Sequence, residues 1–162
     1  MSSLQRHRYG ATNPALFAQD ATVLIEIGDM VYLDSGKIWP ASHYTAQSSL
    51  ALTQAAFHAK FAGVSAERNR MGLTDPLGIT DLRVDVEGTF EFDCDAATFE
   101  TSDLVGPAAG SGAAIVNQKV AAVSATKYAV GRVQRREPSN VTKVLVRIFS
   151  VVMLGGTLAP DA

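Results

Sequence analysis

The clearest pattern in the chain is a strict alternation of apolar and polar residues from Leu82 to Cys94. Leu82, Val84, Val86, Phe90, Phe92 and Cys94 take the even positions, while Arg83, Asp85, Glu87, Thr89, Glu91 and Asp93 take the odd ones. Successive side chains of a β-strand point to opposite faces, so the run predicts one long strand, or two, with one face buried and one polar. Gly88 falls on the buried parity, which suggests a bend or bulge. Thr142–Ser150 alternates again, with Val144, Val146 and Ile148 sharing a face and Lys143 and Arg147 opposite. Ala21–Leu33 reads as strand, turn at Gly28-Asp29 and strand. Ser35-Gly36 then turns the chain into Lys37–Trp39, closed by Pro40. Gly63–Asn69 reads as a strand entering a loop, and Lys119–Val123 and Tyr128–Gln134 as further strands.

One segment has helical spacing. Over Gln47–Phe61, Leu50, Gln54, Phe57 and Phe61 recur at helical intervals with alanine between them. Ser48 or Ser49 would cap the start and Gly63 the end. Met71–Ile79, Pro107–Ala114 and Pro138–Asn140 carry the Gly, Pro, Ser and Asn of loops and turns. The expected fold is mainly β: a small barrel or sandwich-like domain over residues 21–150 with one short helix. An extended, irregular N-terminal arm covers residues 1–20, and a loose C-terminal tail covers residues 151–162.

Two stretches echo each other in the same order. Ile25–Val31 resembles Phe99–Val105, and Phe61–Val64 resembles Tyr128–Gly131. The echo fits two equivalent halves of one barrel, or recurrent strand-and-turn grammar.

Composition narrows the function classes. The 162 residues are 47% hydrophobic and 19% charged, with net charge −2, which suits a folded domain and argues against a nucleic-acid binder. The single cysteine, Cys94, allows no internal disulfide. Its neighbours Asp93 and Asp95 make it a poor nucleophile. Met1–Gly10 carries Arg6, His7 and Arg8 but no apolar run follows, so no signal peptide is expected and synthesis is read as cytoplasmic. Ile148–Leu154 is too short to span a membrane.

The chain shows little catalytic chemistry. His7, His43 and His58 lack metal-ligand spacing. Gly106–Gly112 lacks the Gly-Lys-Ser/Thr of a phosphate loop, and no nucleophile elbow is present. Asp85, Glu87, Glu91 and Asp93 would line a flat strand face rather than a tight cation loop. The basic run Arg132, Gln134, Arg135 and Arg136 suits a solvated strand end or an acidic partner. No catalytic residue, metal or cofactor is expected.

From Leu50 onward the chain resembles the capsid decoration, or cement, proteins of tailed phages. The resemblance runs through the alanine-rich helix into Phe61–Ser65, then Val86–Phe92, Asp103–Gly106, Gln118–Val120, Ala129–Val133 and Val144–Ile148. The segment Gly28–Tyr32 is in the same style. The order and spacing of these segments, over roughly three quarters of the chain, carry the likeness rather than any one motif. It implies a non-enzymatic protein on the outside of the phage head, bound across subunits of the major capsid protein and self-associated, with a trimer favoured. The residues assigned to partner contact are Arg6, Arg8, Tyr9, Leu16 and Phe17 of the arm, with Leu73 and Leu77 of the Met71–Thr80 loop. Competing readings are a tail or baseplate barrel, and a glycan-binding barrel using Trp39, Tyr32 and Tyr44.

Overall fold

The computed structural model describes residues 7–20, 22–69 and 81–154. Among them the strands are β1 (His7–Tyr9), β2 (Pro14–Gln19), β3 (Met30–Asp34), β4 (Lys37–Pro40), β5 (Phe61–Ser65) and β6 (Asp81–Asp85), followed by β7 (Glu87–Phe99), β8 (Leu104–Ala109), β9 (Ile115–Ala122), β10 (Gly131–Val133) and β11 (Glu137–Phe149). The helices are α1 (Leu50–Lys60) and the short α2 (Val151–Leu154). The fold is mainly β, as the alternation predicts.

The strands form two small barrels. In the first, β2-β4-β3-β5-β6 closes on itself, with β2 parallel to β4 and the other neighbours antiparallel. In the second, β7-β9-β8-β10-β11 repeats that order, with β7 parallel to β9, and β1 adds to the edge of β7. The alternating run therefore crosses from one barrel to the other. Leu82 and Val84 pack with Val31, Ile38 and Ala62 in the first core, whereas Phe90 and Phe92 pack with Val105, Val120, Val144 and Val146 in the second.

The sequence echo is a structural repeat. Glu26 N donates to Asp29 Oδ2 at 2.9 Å, and Glu100 N to Asp103 Oδ2 at 2.9 Å. Gly28 N donates to Ser65 O (2.9 Å) and Ser65 N to Asp29 O (2.9 Å); Ser102 N donates to Val133 O (2.8 Å) and Val133 N to Asp103 O (2.8 Å). Gly28 and Ser102 both have positive φ, +92° and +77°. The registers agree as well: Val31 pairs with Gly63, and Val105 with Gly131. Each of these glycines lets the final strand of its barrel cross closely. A methyl group on Gly63 would collide with the Asp85 carbonyl oxygen, and one on Gly131 with the Arg147 carbonyl oxygen.

The helix of the first repeat joins the two. Ser49 Oγ caps it by accepting from Leu52 N at 3.3 Å. Its buried face presents Thr53, Gln54 and Phe57. Gln54 Nε2 donates to Pro107 O (2.9 Å) and His58 Nδ1 to Ala129 O (2.6 Å), both in the second barrel. Gln118 Nε2 reaches back from β9 to Asp29 Oδ1 at 2.8 Å. The second core runs on without a break into Met30, Tyr32, Phe57, Phe61 and Val64 of the first repeat.

Several expectations need correction. The expected barrel-like domain comprises two small barrels. Within the expected arm, residues 7–19 carry β1 and β2, which enter different sheets, and Gly10 (φ +88°) and Asn13 (φ +42°) turn the chain between them, so no single period is visible. Val23–Ile27 is not a strand; Ile25 is buried and held by Asn69, whose Oδ1 accepts from Ile25 N at 3.0 Å. The helix is shorter than expected, and the chain passes from it directly into β5, so Gly63 serves a strand crossing rather than a helix end. Tyr128 belongs to a 3₁₀ turn ahead of a shorter β10. Pro138–Asn140 lies within β11, where the pairing register shifts. The tail begins with α2, whose Val151 and Val152 pack on the two cores. The Met71–Ile79 loop lies outside the described residues.

Gly63→Ala and Gly131→Ala are each expected to lose about 1–3 kcal/mol of stability by overpacking against backbone. Gly36 faces open space at φ +76°, so Gly36→Ala is expected to cost only about 1 kcal/mol, from the left-handed backbone alone. Urea unfolding of the three variants measures the difference.

Candidate interaction surface

The N-terminal segment straps the barrels together. Between β1 and β2, Thr12 O accepts from Val86 N (3.0 Å) and Glu87 N (3.3 Å), the residues that link the two barrels. His7 meets the Phe90 ring edge-on, with centroids 5.5 Å apart, and its Nε2 lies 3.0 Å from Gly10 O.

Beside this strap lies a cleft of about 210 Å³, lined by Tyr9, Gly10, Ala11, Glu87, Gly88, Thr89, Gln134 and Arg147. Tyr9 is 48% exposed. The Arg147 guanidinium sits 5.0 Å from the centre of the Phe149 ring, a cation–π contact that limits its freedom. An exposed tyrosine and a part-ordered arginine around a concave polar floor are the residue types that dominate protein–protein binding energy. Next to the cleft, charges alternate across the sheet. Arg8 bonds Glu91 at 2.8 Å, Lys143 lies 3.3 Å from Asp93 and 3.9 Å from Glu91, and Lys119 lies 2.6 Å from Asp95. Exposed pairs of this kind add little stability, but their sign pattern selects partners and register.

The expected contact residues separate. Arg8 and Tyr9 lie on β1, Arg8 in the charge ladder and Tyr9 at the cleft. Leu16 projects from β2 and is 69% exposed. Phe17 is half-buried and packs on the first core. Arg6, Leu73 and Leu77 lie outside the described residues. Glu87, Gln134 and Arg147 were not among the expected contacts, because only strand pairing brings β7, β10's exit and β11 beside Tyr9.

Other candidates have structural partners. Cys94 is buried, its thiol pushed up by desolvation and then by Asp93 and Asp95, and its Sγ lies 3.4 Å from Val141 O. Arg132 bonds Ser102 O, Arg135 pairs with Glu137 and Arg136 with Glu100, so the basic run is met by its own chain. His43 stacks on Trp39 at 4.8 Å, which covers one face of the indole. Among the described residues no group of three or more His, Cys, Asp or Glu is placed to hold a metal ion. None of the described helices is long and apolar enough to cross a membrane. No family model and no curated protein matches this chain.

Asp85 sits beneath the strap. It is buried, and its Oδ1 has no hydrogen-bond partner among the described residues. Burial pushes its carboxyl up, opposed by the charges of Arg83 and His7 and by a bond from Thr12. A carboxyl with a raised folded pKa binds its proton more tightly when folded. It therefore costs stability as pH rises from the ordinary carboxylate range through the folded value, and the cost persists above it. Asp85→Asn is expected to stabilise the protein at neutral pH by about 1 kcal/mol and to flatten its stability between pH 4 and pH 7. Thermal melts across that range check it; a lower melting temperature at pH 7 contradicts it.

Proposed function

We propose that this is a non-catalytic structural protein that decorates the outer surface of a tailed-phage head, binding across subunits of the major capsid protein. The observation that carries the reading is the Tyr9–Arg147 cleft, held on a strap that is bonded to both barrels. A protein that braces a shell needs a stiff body and a binding surface fixed to it. Here the second core runs on into the first repeat beside α1, whose Gln54 bonds β8, and the strap is bonded to the residues that link the barrels. The sequence resemblance to decoration proteins points the same way.

The mechanism is mass action. A protein that binds only the assembled, expanded lattice stabilises that state in proportion to its affinity and free concentration. Self-association, as a trimer at three-fold positions, multiplies weak contacts into avidity. The protein is made in the host cytoplasm and ends on the virion exterior in this reading.

Purified protein is expected to co-sediment with expanded heads that lack it, and to raise their resistance to heat. The double variant Tyr9→Ala, Arg147→Ala is expected to bind about tenfold more weakly or worse while keeping its circular dichroism. Absence of the wild-type protein from sedimented heads, or its location in the tail by immunogold labelling, overturns the proposal.

A further inference from the structure

A second cleft, of about 150 Å³, opens at the other side of the first barrel, lined by Tyr32, Asp34, Tyr44, Thr45, Gln47 and Lys60. Its parts come from three elements: the end of β3, the loop before α1 and the last residue of α1. The loop is held in place. Tyr44 N donates to Ala41 O (3.0 Å), Gln47 N to Thr53 Oγ1 (2.9 Å) and Gln47 Nε2 to Thr45 O (2.9 Å). The wall is aromatic: Tyr44 meets Tyr32 edge-on, with centroids 4.8 Å apart, and Phe57 backs both rings. Asp34 and Lys60 form an ion pair, and each side chain stays more than two-fifths exposed. Lys60 holds the Asp34 carboxyl below its ordinary range and is itself held up by it, so both are charged at neutral pH and the cleft is neutral overall.

The repeat shows that the barrel does not require this arrangement. By the matching strand registers, Tyr32 and Asp34 hold the places that Gly106 and Ala108 take in the second barrel. There, a methyl group on Gly106 would collide with the Tyr128 carbonyl oxygen, so the same place is sealed by backbone. A half-exposed ion pair also adds little to stability. The polar groups of the first barrel therefore open a hollow where the fold closes without them.

We propose that this cleft binds one neutral, polyhydroxylated ring: a sugar residue, free or at the end of a glycan. A carboxylate beside an ammonium can accept from one hydroxyl and donate to its neighbour through charge-assisted bonds. Thr45 and Gln47 add neutral hydrogen-bonding groups, and the half-buried Tyr44 borders the cleft. Neutrality disfavours phosphates, and the volume lies well under the roughly 300 Å³ at which pockets for drug-sized ligands begin. Trp39 stacks on His43 by one face, and its indole N–H donates to Asp34 O at 3.3 Å, at the rim of the cleft.

Trp39 is the only tryptophan in the chain, so its emission reports on Asp34 directly. The full-length protein is titrated with glucose, galactose, mannose and N-acetylglucosamine, with oligosaccharides cut from bacterial lipopolysaccharide, and with inorganic phosphate. At least one sugar is expected to give a saturable change. Asp34→Asn and Lys60→Met are each expected to weaken it about tenfold or more, with circular dichroism unchanged. Tighter binding of an oligosaccharide than of its monosaccharide identifies a glycan end; equal binding identifies a free sugar. The proposal is overturned if no sugar moves either the emission or the amide resonances of Tyr44–Gln47, if phosphate alone saturates, or if both variants bind as wild type. Head binding does not enter this test, so the two proposals stand or fall separately.

Discussion

The backbone of Val86 is bonded on both sides, and the rest of the molecule is arranged around that residue. Its N–H donates to Thr12 O at 3.0 Å, and its carbonyl accepts from Ser150 N at 2.7 Å. The first bond ties in the N-terminal strap and the second brings in the start of α2. A linker between two barrels is usually a place where domains move. Here the buried backbone groups of Val86 are paired by Thr12 and Ser150, near the two ends of the described residues. Satisfying them locks both termini of the described fold onto the junction.

Repetition explains the body, and divergence explains the surfaces. Phe17 and Phe92 occupy matching positions and fill their barrels alike. Leu16 and Glu91 also match, yet one is bare apolar surface and the other anchors Arg8. Asp85 and Arg147 match too: one is buried under the strap with an unpaired oxygen, the other lines an open cleft. Core positions tolerate only apolar side chains of similar size, so copies stay alike there. Outward positions carry no such constraint and are free to acquire separate roles.

The two clefts follow from the same logic. Each forms where a segment outside the barrel strands lies against a strand. The Tyr9–Arg147 cleft needs the strap, and the Tyr44–Lys60 cleft needs α1 to end beside β3. Neither hollow is a property of a single barrel.

The β class, the one substantial helix and most strand faces were legible in the sequence, because side-chain parity is a local consequence of backbone geometry. The alternation from Leu82 to Cys94 named buried residues correctly on both sides of the junction. Gly88 marked a bend close to the junction, but the alternation itself could not show the barrel change, because a strand has the same period whichever core it faces. The turns at Glu26–Asp29 and Glu100–Asp103 were legible as an echo, but only their matching hydrogen bonds made them a repeat. Tyr9 is exposed, and Arg147 and Gln134 became its neighbours only through pairing of strands distant in sequence. The entry of residues 7–19 into two sheets was likewise decided by tertiary structure. Strands that short have too few residues to show a period, and their stability comes from the edges they join.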